Sequence, residues 1–327
     1  MSTRTPLSPA ALVAAAALAL AAGAQDATVP LDHDTIGEAV RLTQDADGNG
    51  QIEILVLPGI YRENVRIWRS GVRLMSMDSQ ITFIEGNGHD DVVRVAPPAG
   101  VATLQDVNVS GFTIRGGGSG GEGVEFYRVT GGGVVDCFIE GCHEGVLVDD
   151  STGIAISDNS VSGNGGNGIR VVRSRAPFVF DNSVFDNGGQ GIYLADVIVP
   201  LAGYDTRFEM NVVTGNGENG LLALRTTDLT VYECVFEENR ESGIRLKETL
   251  EAQVIGCGVF RNGADGLRME STTDSFVSEN VLFDNAAYGI RMRVCWDDDF
   301  AAAAGIQEPA GDNLIEGNGK GAMSIRH

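Results

Sequence analysis

The chain has 327 residues and a formal charge of −22, with 45 acidic against 23 basic side chains. That negative surplus repels nucleic acid and anionic membranes over most of the surface, so neither is an expected partner. Glycine is abundant at 44 residues, proline is sparse at 9, and 43% of the chain is apolar. This composition excludes a disordered polymer and suits a fold with many tight turns.

Residues 1–24 read as a signal peptide. Arg4 supplies the positive start, Ala10 to Ala22 is an apolar run, and Ala22-Gly23-Ala24 is an A-x-A cleavage site. The run is too short to anchor the chain in a bilayer. The mature protein is expected to begin at Gln25 and to be secreted or periplasmic, without membrane insertion. Residues 25–64 form an N-terminal cap. Thr35 with Glu38 three residues later is a capping box, which predicts a short helix from about Thr35 to Thr43 plugging an open core. Asp45-Ala46-Asp47-Gly48-Asn49-Gly50 fits the start of an EF-hand-like loop. Asp45, Asp47 and Asn49 are therefore candidate Ca²⁺ ligands. Position 12 of that loop is Val56 instead of Glu, so the plainer expectation is a Gly/Asn turn entering a strand at Ile52, with no resident metal or cofactor. Residues 65–122 read as about three irregular coils. Their predicted strands are Val72 to Met75, Ile81 to Ile84, Val92 to Val95 and Gly111 to Ile114.

Residues 123–327 carry a regular repeat. A Gly followed by an apolar-x-apolar strand recurs at Gly123, Gly145, Gly168, Gly191, Gly220, Gly243, Gly266 and Gly289, at spacings of 22, 23, 23, 29, 23, 23 and 23. One column in phase with it is Cys137, Asn159, Asn182, Asn211, Cys234, Cys257, Asn280 and Asn313. Another, five residues on, is Cys142, Asn164, Asn187, Asn216, Asn239, Asn262, Asn285 and Asn318. Apolar residues alternate with period two, as in Ile244 and Leu246 or Leu267 and Met269, which is strand periodicity. A single coil buries little, whereas coils stacked ~4.8 Å apart bury a continuous core. The expected fold is all-β, a single-stranded right-handed parallel β-helix with a short N-terminal helix. Insertions at 195–207 and 295–312 should emerge from one edge of it.

This repeat resembles the parallel β-helix repeat of the pectin-lyase-like superfamily over roughly residues 33–325. The nearest type is the carbohydrate-binding and sugar-hydrolase group that includes the NosD-like proteins. The cap, His33 to Val40 and then Leu57 to Val65, is similar to the start of many such proteins, pectin methylesterases among them. Gly243-Ile244-Arg245-Leu246-Lys247 resembles the Arg-x-Lys element of polygalacturonases, whose Asn-Thr-Asp and Gly-His-Gly elements are not present. Asp136 to Gly141 resembles the stretch before the methylesterase nucleophile and puts Glu144 at that position. The resemblance implies a carbohydrate-interacting protein. A non-catalytic surface or scaffold protein, and a NosD-like periplasmic accessory factor, are the alternatives.

Outward positions of the Gly-started strand suggest where a ligand lies. Two residues after the Gly come Glu125, Leu147, Arg170, Tyr193, Leu222, Arg245, Arg268 and Arg291. The last three should stack, at ~0.9 kcal/mol of repulsion per neighbouring pair in water. Lys247, Glu270 and Arg293 stand beside them. With Glu248 the group carries five cations and two carboxylates, a basic patch on an acidic protein. Arg matches carboxylates bidentately. The expected partner is an acidic polysaccharide, bound by Arg245, Lys247, Arg268, Glu270, Arg291, Arg293 and Trp296; binding alone and binding with cleavage or epimerisation both stay open. The opposing expectation is a solvated face whose Arg side chains are tied down by Glu270 and Glu248. The candidate catalytic acids are Asp149 and Asp150, with Arg170 and Arg173 one coil on. The column Arg128, Asp150, Arg173, Asp196, Arg225 and Glu248 alternates in sign, as a structural charge ladder would. Five Cys is an odd count. Cys234 and Cys257 stand on adjacent coils, and buried thiols are expected rather than a bridge. The C-terminal edge after Ala322 to Arg326 invites self-association.

Overall fold

The computed structural model describes residues 25–198, 206–294 and 313–326. The expected signal segment and most of both insertions, Cys295 and Trp296 included, lie outside the described residues.

Among the described residues, three parallel sheets of eleven strands each form the walls of a solenoid. Sheet A starts at Ala27–Val29 and Ile52–Val56, sheet B at Gly59–Arg62, and sheet C at Val65–Ile67. Each strand pairs with its counterpart one coil away. In sheet C, Ile244 lies beside Leu267, and Leu267 beside Ile290. The six extra residues after Gly191 leave this register untouched, because Ile192 still pairs with Leu221 and Val179 with Phe208. Inward side chains such as Ile169, Leu194, Leu246 and Met269 are buried in one continuous core.

The corners explain the columns. Each coil bends where a residue adopts a positive φ, followed directly by an inward polar or thiol side chain. Asp158 (φ 58°) precedes Asn159, and Asp186 (φ 55°) precedes Asn187. At the third corner Asp150 (φ 48°) precedes Ser151, and Arg173 (φ 49°) precedes Ser174. A left-handed residue turns the backbone sharply and leaves N–H groups without strand partners. At the Asn and Ser corners the inward side chain of the next coil takes them. Asn164 N–H donates to Asn187 Oδ1 at 3.2 Å, and Asn187 N–H to Asn216 Oδ1 at 3.2 Å. Asn187 Nδ2 donates to Asn216 Oδ1 at 3.0 Å and to the Val161 carbonyl at 3.1 Å. Ser151 Oγ accepts from Val129 N–H, and Ser174 Oγ from Ser151 N–H.

The Gly column has a packing cause. A Cβ at Gly168 would lie 2.4 Å from Val184 Cγ1, and one at Gly191 would lie 2.3 Å from Val213 Cγ1. Cys137, Cys142, Cys234 and Cys257 are buried free thiols, as expected. Burial pushes Cys137 up to about 12 and Cys142 up to about 11, so neither is a nucleophile at neutral pH.

The helix runs Ile36–Leu42 and closes the N-terminal end with Ile36, Ala39 and Val40 buried. Thr35 Oγ1 accepts from Glu38 N–H at 3.1 Å. The Glu63 carboxylate takes two further free N–H groups, those of Ile36 and Gly37, at 2.9 and 2.8 Å. No helix among the described residues is long and apolar enough to cross a membrane.

Asn187→Ala removes one rung and strands the Asn164 N–H and the Val161 carbonyl in the interior. Unsatisfied buried groups cost about 1–3 kcal/mol each, so urea unfolding should show a loss of about 2–5 kcal/mol. Asn49→Ala, on the exposed loop, should change stability by less than about 0.5 kcal/mol. Equal effects from the two substitutions would refute the ladder as a source of stability.

Candidate functional site

The outer face of sheet C carries two rows of side chains. The row nearer the strand start is Arg66, Arg94, Glu125, Leu147, Arg170, Tyr193, Leu222, Arg245, Arg268 and Arg291, each in register with the next. The second row includes Tyr127, Asp149, Lys247, Glu270 and Arg293.

At the C-terminal end the three expected arginines do stand side by side. Glu270 reaches between two of them. Its Oε2 accepts from Arg245 Nη2 at 2.8 Å and Nε at 3.1 Å, and its Oε1 accepts from Arg268 Nη2 at 2.6 Å. Burial opposes its ionisation, but the hydrogen bonds from Arg268 and Arg245 outweigh that and hold its carboxyl below the usual range. Arg291 Nη1 lies 3.7 Å from the carboxylate of Asp265, which is 2% exposed and sits beneath it. Asp265 belongs to the patch although no outward column contains it, so five cations face three carboxylates. Lys247 pairs loosely with Glu248 at 3.8 Å, and Arg293 stands opposite Glu270.

The candidate acids have separate partners. Asp149 pairs with Arg173, and Asp150 with Arg128 at 3.0 Å. Arg170 turns to Glu144 at 3.3 Å instead. Asp149 Oδ1 is buried without a hydrogen-bond partner. The alternating column is paired at Arg128–Asp150 and at Arg225–Asp196, the latter at 2.7 Å. Its members occupy left-handed corners, so Asp149 and Asp150 break the strict alternation of faces. In the loop at Asp45, the carboxylate accepts from Gly50 N–H at 2.8 Å and Gly48 N–H at 2.7 Å. The Gly50 bond is the main reason its carboxyl sits below the usual range. Asp47 accepts from Asn49 N–H at 3.0 Å. Among the described residues no group of three His, Cys, Asp or Glu side chains converges on a metal-sized site.

The sequence columns miss a charged cluster at the other end of the same face. Three residues before the first outward row runs a further ladder. Glu122 N–H donates to Asp91 Oδ1 at 3.1 Å, Glu144 N–H to Glu122 Oε2 at 2.7 Å, and Asn167 N–H to Glu144 Oε2 at 2.5 Å. It continues through Asn167, Gln190 and Asn219. The signal was present as an unbroken series of Asp, Glu, Asn and Gln, but its chemistry varies from rung to rung. Asp91 Oδ2 faces Arg66 Nη1 at 3.4 Å and Arg94 Nη1 at 3.1 Å. Arg94 Nη1 also lies 3.0 Å from Glu125 Oε2, an ionic contact without hydrogen-bond geometry. Glu125 is 8% exposed. Burial, and then a hydrogen bond shared with Asp91, raise its carboxyl to about 7 against the pull of Arg94. Burial likewise raises Glu122, which His143 Nδ1 approaches at 3.5 Å.

Beside this cluster lies an open depression of about 380 Å³ lined by Arg66, Ile67, Trp68, Arg94 and Ala96. A second depression, of about 500 Å³, opens on sheet B. Its one cation, Arg115, is held by Glu85 and Glu140.

Glu125 gives a pH test. Its folded-state pKa is raised, so its contribution favours folding below the unfolded value of 4.5 and is lost as pH rises through about 7. Glu125→Gln should match the native chain near pH 4 and exceed its stability by about 3 kcal/mol at pH 8. Parallel urea stability curves from pH 4 to 8 would show that Glu125 ionises normally.

The right-handed β-helix region family matches residues 70–198 and 198–296. No curated protein matches the chain. Among solved structures, the A-module of the Azotobacter vinelandii mannuronan C-5 epimerase AlgE4 is 20% identical, with a TM-score of 0.58 over 92% of this chain and 91% of that one. The periplasmic alginate epimerase AlgG is 17% identical, with a TM-score of 0.52 over 84% of this chain and 74% of that one. The Agl-KA catalytic domain is 11% identical, with a TM-score of 0.51 over 84% and 63%. At these identities the likeness is one of fold. With the family spanning most of the stacked coils and three parallel sheets beneath it, the chain belongs to the right-handed β-helix family.

Proposed function

We propose that the chain is an exported carbohydrate-acting protein that binds an acidic polysaccharide along the outer face of sheet C and cleaves or epimerises it. One observation carries this reading. On a protein of charge −22, six arginines share a single outward row: Arg66, Arg94, Arg170, Arg245, Arg268 and Arg291. Coils repeat at ~4.8 Å, close to the length of one pyranose unit, so such a row can meet successive uronate carboxylates. A guanidinium on a uronate carboxylate withdraws charge from it. That acidifies the neighbouring carbon, whose proton both an epimerase and a lyase must remove. The mannuronan and alginate epimerases of similar fold support the same substrate class. The N-terminal segment, read as a signal peptide, fits export.

A second reading has its own support. Glu270 and Asp265 already neutralise much of the Arg245–Arg291 strip, as on a face that serves solubility alone. Binding of polymannuronate, polyguluronate and polygalacturonate by the mature chain separates the two. The polysaccharide reading expects saturable binding that weakens with salt, and at least a tenfold loss in Arg268→Glu. Equal binding by both proteins, or by neither, would leave the solubility reading. Unsaturated uronates, new reducing ends or an altered anomeric NMR pattern in the product then identify a lyase, a hydrolase or an epimerase.

A further inference from the structure

The depression at the N-terminal end of sheet C has the chemistry of a sugar subsite, about six strands or ~29 Å from the Arg245 strip. Two strands build it, Val65–Ile67 and Val93–Val95, and Val124–Tyr127 lies next to them. Their register sets Arg66, Arg94 and Glu125 in one row. One pleat further along come Trp68, Ala96 and Tyr127. The lining sets the small Ala96 with Trp68. Trp68 is 44% exposed, uncommon for so large an apolar surface. The volume of about 380 Å³ falls within the ~300–1,000 Å³ of small-molecule clefts. Arg66 and Arg94 line it with side chains 43% and 39% exposed, while the carboxylates behind them are largely covered. The cations are presented and the anions are withdrawn.

Glu125 is the second observation. Its Oε2 is buried and accepts no hydrogen bond, although a guanidinium stands 3.0 Å away. Arg94 Nη1 donates to Asp91 Oδ2 at 3.1 Å and meets Glu125 by charge alone, so an incoming acceptor competes with Glu125 for the remaining N–H groups of Arg94.

We propose that this depression is a uronate subsite: Trp68 carries the sugar ring, Arg66 and Arg94 take its carboxylate, and that carboxylate displaces Glu125 from Arg94. The inference rests on the acidic-polysaccharide reading and adds a place, a ring platform and a proton. The groups facing Glu125 are Asp91, Arg94 and Glu122, with Glu144 and His143 adjoining Glu122. Once Arg94 turns away, only acids remain close to Glu125, and it takes up a proton. Ligand binding therefore consumes protons near neutral pH and weakens as pH rises above about 7.

The test is calorimetry with a uronate hexasaccharide, and neutral cellohexaose as control, at pH 7.5 in buffers of different ionisation enthalpy. Circular dichroism confirms that each variant is folded. The native chain should take up between about 0.3 and 0.8 proton per bound hexasaccharide. Glu125→Gln should bind at least as tightly with no uptake. Trp68→Ala, an exposed site, and Arg94→Gln should each lose about fivefold or more in affinity. If the native chain binds and Arg268→Glu weakens binding while Trp68→Ala and Arg94→Gln do not, this subsite is refuted and the polysaccharide reading stands. If no uronate binds the native chain, both fall.

Discussion

The fold depends on how its corners are made. A coil of about 23 residues must turn three times, and each turn exposes backbone N–H groups to an apolar interior. A left-handed residue makes the turn, and an inward Asn, Ser, Thr or Cys follows it. The Asn side chain is the most complete solution, because it accepts from the coil before it and donates to carbonyls there. The arrangement is cooperative. Asn187 satisfies Asn164, and Asn216 satisfies Asn187, so no rung is complete without its neighbours. Where Cys replaces Asn, its own N–H is still taken by an Asn of the next coil, as at Cys137 and Cys257. Cys137 N–H still donates to Asn159 Oδ1 at 3.0 Å.

Because the corners and core hold the structure from within, the outward rows are free to vary. Three guanidiniums can stand on consecutive strands only because carboxylates come to them from other rows. Glu270 reaches back one coil to Arg245 and also holds Arg268. Asp265 meets Arg291 from beneath. The same logic holds at the other end of the face, where Asp91 serves both Arg66 and Arg94. These pairs are partly exposed, and each contributes little to stability. Their effect is to fix where the guanidinium N–H groups point.

The columns of Asn, Gly and alternating apolar residues were legible because the ladder demands one chemistry at one spacing. The period gave the sheet register even across the insertion after Gly191, since the strands on either side keep their partners. The strand Leu104–Ser110 was not foreseen, because the early coils differ in length and the period fails there. Arg66 to Arg94 is 28 residues, and Arg94 to Glu125 is 31. For the same reason Arg66 and Arg94 could not be placed in the arginine row from sequence. The partners of Asp149, Arg170 and Arg291 were hidden for a different reason. A side chain on a solenoid face has neighbours above, below and beside it, and the choice among them is made by rotamer and not by spacing. Arg170 could meet Asp149 or Glu144, and the ladder that fixes Glu144 decides it.

Glu125 and its neighbour Glu122 differ from Glu270 at the other end of this face, because burial raises both carboxyls while arginines hold Glu270 low. Glu125 is buried in the arginine row and lies against Asp91 and Glu122, so its own ionisation opposes folding. A neutral glutamine of the same size would relieve that conflict. A row that elsewhere accepts Leu147 or Leu222 places no structural demand for an acid at this position. An acid does one thing there that glutamine does not: it competes with an incoming carboxylate for Arg94 and yields by taking a proton. Conflicts of this kind between a local group and its surroundings gather where a protein meets its ligand.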